Sequence, residues 1–230
     1  MKPKMKGLMS VNLQHIKLVI FDMDGTMLDT EPLSQTGWRK SLDTQGITIT
    51  DEYFAEVFDK IIGTNSNTWR RVLAESFEGF DVDLGATHSM DYMDEYMNTN
   101  GVPVKPGVFE LLDKLEELGI KKCVATSTGR ERARKKLKDA NILHRFETVI
   151  GGDDVVESKP NPEIFLKAAS ACNTEPAYCL VLEDSAAGTA GGYNAGMNVI
   201  VIPDILPPTE KMVRMADEIV ESLHDVVNML

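Results

Sequence analysis

The chain has 230 residues, enough for a core domain and a smaller inserted one, each with its own apolar interior. Its 36 acidic against 24 basic side chains give a net charge of -12, a field that repels nucleic acid and anionic lipid. Three cysteines, Cys123, Cys172 and Cys179, form neither an even disulfide set nor a Cys-x-x-Cys pair; this excludes a disulfide scaffold, argues against structural zinc and fits buried thiols in a reducing compartment.

Lys2, Lys4 and Lys6 precede an apolar stretch and imitate the start of a secretory signal, but polar residues from Ser10 to Lys17 interrupt it. The uninterrupted apolar run that follows, Leu18 to Phe21, is too short to span a bilayer. A cytoplasmic protein, a monomer or weak homodimer, is expected. Short aliphatic and β-branched runs at Lys17–Phe21, Lys122–Ala125, Thr148–Ile150, Cys179–Leu182 and Val199–Ile202 read as strands. Helical patterns lie between most of them, as in Arg130–Ala140 and Pro162–Ala171. Val108, Leu111, Leu112, Leu115 and Leu118 keep the helical period until Gly119 ends it. This alternation predicts an α/β fold: a doubly wound, Rossmann-like parallel sheet with helices on both faces.

Residues 30–102 break that alternation and read as an all-helical insertion, leaving 1–29 and 103–230 for the core. Pro32 suits a first helical turn, and Asp51 is a candidate cap for a helix carrying Tyr53, Phe54, Val57, Phe58 and Ile61. Trp69, Val72, Leu73 and Phe77 continue the pattern. Met90, Met93 and Met97 share one side of a further helix and are expected to pack in the interior of the insertion.

The chemistry is concentrated in Phe21-Asp22-Met23-Asp24-Gly25-Thr26, directly after the first apolar strand. Loops leaving the carboxyl ends of parallel strands line the ligand crevice, so both carboxylates face it. At a spacing of two residues, one can attack phosphorus and hold a metal while the other moves protons. A calcium loop of the EF-hand type is excluded, because its obligatory glycine and glutamate fall on Met27 and Leu33. Three further features follow in order. Thr126 and Ser127 end the second run. Lys159 sits in Ser158-Lys159-Pro160-Asn161-Pro162, and the acidic pair Glu183-Asp184 follows a buried run. Ionised acids after an apolar strand are costly unless they bind a cation, which points to magnesium. Asp153 and Asp154 are a rival acidic pair, expected to stay solvated in their loop.

In these residues the chain resembles the haloacid dehalogenase-like hydrolases, in particular the β-phosphoglucomutase-like phosphatases that carry a helical cap. The resemblance runs from Leu18 onward. It implies Asp22 as nucleophile, Asp24 as general acid and base, and Thr126 and Lys159 as their partners in catalysis. Gly25, Ser127, Thr126 and Lys159 would hold the phosphoryl group, and Asp22, Asp184, Glu183 and the backbone carbonyl of Asp24 would hold Mg²⁺. Gly63, Thr64 and Asn65 in the cap are candidates for touching the leaving group of a small phosphorylated metabolite, with a plain helix-connecting turn as the competing reading. The cap itself is expected to open for substrate and close against water.

Dehalogenases and phosphonate-cleaving enzymes of this kind generally lack the second aspartate, which is present here as Asp24. Mutases of the group carry a histidine where this chain has Ser34 and an arginine where it has Ser66, so phosphatase is the first reading. A mutase using Arg70 or Arg71 for the second phosphate remains the alternative. A phospho-accepting signalling module is a third reading, disfavoured by the helical insertion and by Asp24. The basic run Arg130, Arg132, Arg134, Lys135, Lys136 and Lys138 is expected to be a solvated helix face.

Overall fold

Every residue of the run Leu18–Phe21 is buried, at 0–1% exposure, which an open antiparallel strand with one wet face would not show. In the computed structural model, which describes residues 13–62 and 66–230, this run is the central strand β1 of a six-stranded parallel sheet. Helices α1 (Glu31–Thr44), α2 (Asp51–Asp59), α3 (Ser66–Ser76), α4 (Val82–Asn100) and α5 (Val108–Glu117) come next. Then follow β2 (Lys121–Ala125), α6 (Arg130–Asp139), β3 (Val149–Ile150), α7 (Glu163–Ala171), β4 (Cys179–Glu183) and α8 (Ala186–Asn194). β5 (Asn198–Val201), α9 (Glu210–Met215), β6 (Glu218–Ile219) and α10 (Leu223–Met229) complete the described chain. The sheet order is β3-β2-β1-β4-β5-β6, so the chain winds outward from β1 in both directions, a Rossmann-like α/β fold.

The expected runs match β1 to β5 to within a residue or two. β6 escaped the sequence reading because only Glu218 and Ile219 pair, too few to show an alternation. Gly119 ends α5 as expected, with φ +66 just past the cap residue Leu118. Behind one face of the sheet, Leu18 and Ile20 join Ile164, Phe165 and Ala168 of α7 and Val181 and Val199 of the neighbouring strands in one apolar cluster. All three cysteines are buried thiols.

The chain divides into two compact units, one joining β1 and the residues up to Met27 to Lys105–Leu230, the other Leu28–Val104. Among its described residues the second unit is helical, α1 to α4, apart from an antiparallel bridge between Leu28 and Val104. Its interior is aromatic: Trp38, Phe54, Phe58, Phe77 and Phe80 cluster with Leu42, Val57 and Leu73. α1 and α4 approach closely because Gly37 lies against Ser89, where a Cβ would come 2.7 Å from the serine hydroxyl. Two details correct the expectations. Thr50, not Asp51, caps α2, its hydroxyl accepting the Tyr53 N–H at 3.2 Å. Met93 and Met97 are buried, but Met90 is 43% exposed, because α4 turns that position outward. Among the described residues, no helix is long and apolar enough to cross a membrane.

Candidate active site

The strand register brings the site together. β1 pairs with β2 and β4 so that Phe21 lies beside both Val124 and Leu182. One residue further along, Asp22 therefore stands beside Ala125 on one side and Glu183 on the other, and its N–H donates to the Leu182 carbonyl at 2.9 Å. Three residues far apart in sequence share one sheet edge.

Lys159, from the loop between β3 and α7, closes this edge. Its ammonium donates to Asp22 Oδ1 at 2.5 Å, to Glu183 Oε1 at 2.7 Å and to the Ala125 carbonyl at 3.0 Å. The Phe165 ring lies 5.1 Å from Nζ. Three acceptors satisfy the three ammonium protons, which makes a buried lysine tolerable. Burial pushes the Asp22 carboxyl up to about 8; Lys159 opposes that shift, whereas the negative charges of Glu183 and Asp24 add to it. Burial pulls the Lys159 pKa down, but the charges of Asp22 and Glu183 outweigh it and hold the ammonium protonated. Among the described residues only Oδ1 of Asp22 accepts a hydrogen bond.

Glu183 is fully buried and spends its other oxygen on the chain that follows. Oε2 accepts the N–H of Asp184 at 3.0 Å and both the N–H and the hydroxyl of Ser185 at 2.9 Å. α8 begins against it without a side chain in the way: a Cβ on Gly188 would fall 1.6 Å from Glu183 Oε1. Asp184 is oriented from the first motif, accepting the Thr26 hydroxyl at 3.0 Å. Gly25, at φ +89, is the residue that motif requires, since a Cβ there would fall 2.3 Å from Asp184 Oδ2.

One oxygen from each of Asp22, Glu183 and Asp184 lies within 4.8 Å of the others. An all-carboxylate donor set of this kind suits a hard divalent cation such as magnesium. Among the ion pairs of the described residues, Lys159 bridges Asp22 and Glu183 while Lys136 pairs with Asp24. Since Glu183 already serves four donors, Asp22 and Asp184 are the better placed direct ligands.

Thr126 is buried, its N–H donating to the Ile150 carbonyl and its hydroxyl accepting the Thr128 N–H at 3.1 Å. Ser127 is exposed on the same turn. Gly63, Thr64 and Asn65, with the side chain of Ser66, lie outside the described residues.

Two expectations are corrected here. α6 is not wholly a solvated basic face, because Lys136 is only 5% exposed and donates to Asp24 Oδ1 at 2.7 Å. It shares a stripe with the buried Ala133 and Leu137, and that spacing of three and four was the signal available in the sequence. Thr128, also missed, donates its hydroxyl to Asp24 Oδ2 at 2.7 Å. The rival acids Asp153 and Asp154 are not simply solvated either. Asp153 accepts the Arg130 N–H at 2.7 Å at the start of α6, and Asp154 accepts the Gly151 N–H at 2.9 Å. Both staple loops.

Known proteins share this architecture. The family model for haloacid dehalogenase-like hydrolases matches residues 19–202. Protein CbbY of Rhodobacter capsulatus is 30% identical over 200 residues, 82% of this chain and 86% of that protein. A phosphorylated carbohydrates phosphatase of Thermotoga maritima is 29% identical over 185 residues, 80% and 84% of the two chains. A crystal structure titled as a candidate β-phosphoglucomutase, also of Thermotoga maritima, superposes with a TM-score of 0.77 at 25% identity, covering 93% of this chain and 98% of that one. Matches of this extent take in both the strand ends that carry Asp22 and Glu183 and the helical segment between the first two strands, and by them the chain belongs to the haloacid dehalogenase-like hydrolases.

Proposed function

We propose that this hydrolase is a magnesium-dependent phosphatase that passes the phosphoryl group of a small phosphomonoester to Asp22 and then to water. The observation that carries the reading is the state of the Asp22 carboxylate. One oxygen is fixed by Lys159 and the other accepts no hydrogen bond among the described residues, at the end of a rigid central strand.

In the first step Oδ2 of Asp22 attacks phosphorus, the bond from phosphorus to the ester oxygen breaks, and Asp24 gives a proton to the departing alcohol. In the second, water attacks the phosphoryl group, Asp24 takes the water proton, and the Asp22 carboxylate is released. Lys159 supports both steps, since its fixed ammonium offsets the negative charge gathering on the phosphoryl oxygens. Thr126, Ser127 and Gly25 line the same loops and are the groups proposed to bind those oxygens. Magnesium, held by Asp22, Asp184 and the Asp24 carbonyl with Glu183 behind them, would supply the positive charge that keeps Asp22 ionised and draws the substrate dianion in. The substrate class proposed, a sugar phosphate or similar metabolite, rests on the likeness to the phosphorylated carbohydrates phosphatase. Gly63, Thr64 and Asn65 remain the proposed contacts to its leaving group.

The test is a panel of phosphorylated metabolites scored by phosphate release, with magnesium and with EDTA. Release that needs magnesium and leaves the free alcohol is expected. Movement of labelled phosphate between a sugar bisphosphate and a sugar monophosphate, with none set free, would instead establish a mutase.

A further inference from the structure

α6 carries its cations outward at Arg130, Arg134, Lys135 and Lys138, yet Lys136 is turned inward and is 5% exposed. An ammonium withdrawn from water in mid-helix is costly, and an apolar side chain on the Ala133–Leu137 stripe would stabilise the fold at least as well. Packing alone therefore does not account for a lysine there. Its partner does: Lys136 Nζ donates to Oδ1 of Asp24 at 2.7 Å while the Thr128 hydroxyl donates to Oδ2 at the same distance. Held at both oxygens, the carboxylate has its χ1 and χ2 fixed. Asp24 lies beyond the last residue of β1. The first motif thus has one lysine for each aspartate, Lys159 for Asp22 and Lys136 for Asp24.

We propose that Lys136, assisted by Thr128, is a positioning residue that holds the Asp24 carboxyl group where it can reach the leaving-group oxygen. The inference rests on the phosphatase reading above, and assigns Lys136 no contact with substrate. In the step concerned Asp24 enters protonated on Oδ2, with the Thr128 hydroxyl proton turned away; the Oδ2 proton moves to the ester oxygen as the bond to phosphorus breaks, and the carboxylate left behind is the form to which Lys136 and Thr128 both donate. Lys136 gives up nothing; it sets the direction of transfer.

The experiment compares kcat/KM for p-nitrophenyl phosphate and phenyl phosphate, in magnesium, for wild type and Lys136→Met. p-Nitrophenolate departs without a proton, whereas phenolate is basic enough to need one, so a misplaced acid slows only the second. kcat/KM reports the transfer to Asp22 and is unaffected by the later attack of water. The ratio of the two constants does not depend on what fraction of the variant is folded. Wild type is expected to hydrolyse both esters. Lys136→Met is expected to lose about tenfold or more on phenyl phosphate relative to p-nitrophenyl phosphate, and Thr128→Val to shift the ratio the same way by less. An unchanged ratio in Lys136→Met, or a gain on phenyl phosphate, would overturn the positioning role while leaving the phosphatase standing. Wild type inert towards both esters and the metabolite panel would instead overturn the phosphatase reading.

Discussion

The two units bury different things. Among the described residues of the sheet-bearing unit, five charged side chains are nearly inaccessible, Asp22, Lys122, Lys136, Lys159 and Glu183. In the helical unit the buried polar residues are the neutral Thr30, Ser41 and Ser89, set around an aromatic interior. Buried charge is destabilising unless matched, and in the first unit each such group has a partner of opposite sign. Buried aromatic area is stabilising in itself. The first unit holds the groups proposed for the chemistry, at a cost its apolar sheet offsets. Among its described residues the second has no buried charge.

That contrast breaks most sharply at Asp22. Asp22→Asn keeps the shape and removes the proposed nucleophile, so turnover should fall by about 10⁴-fold or more with circular dichroism unchanged. Retained turnover would end the mechanism. In the helical unit the large effect is on stability instead. Leu73, 2% exposed among the aromatic rings, should cost about 2–5 kcal/mol when cut to alanine, read from urea unfolding. A loss below about 1 kcal/mol would show that this interior is loosely packed.

The smallest effect sharpens the contrast within the first unit, at an ion cluster on its surface. Glu116 is held down to about 2 by hydrogen bonds from Arg145 and Lys122. A carboxylate whose folded pKa is depressed stabilises the fold above its ordinary value of 4.5, and the contribution is lost as pH falls from there through about 2. The Glu116 side chain is 47% exposed, so solvent screening limits the contribution to under about 1 kcal/mol. The gap in melting temperature between wild type and Glu116→Gln should be present at pH 6 and close by pH 2. A gap independent of pH would show that the charge contributes nothing.

Much of the core could be read from the residues because its signals are local. β1, β4 and β5 are built on contiguous apolar runs, and Gly119 stops α5 through a conformation that glycine favours. The pairing of Asp22 with Glu183 was accessible only as a resemblance, since it depends on which strands are neighbours and in what register. Lys136 was harder still. Its charge placed it with the surface cations of α6, and only the helical stripe it shares with Ala133 and Leu137 pointed inward.

The sequence by itself determined the kinds of groups available: acids two residues apart after an apolar strand, a lysine between prolines, a second acidic pair and a helical stretch between the first two strands. Only the tertiary structure decided which group serves which. Long-range strand pairing aligned Asp22 with Ala125 and Glu183 and let one ammonium bridge all three. Packing of α6 carried Lys136 through the apolar layer to Asp24. The physical reason is that local propensity fixes where a strand or helix begins and ends, whereas a buried charge is tolerated only where the whole fold delivers its counter-charge.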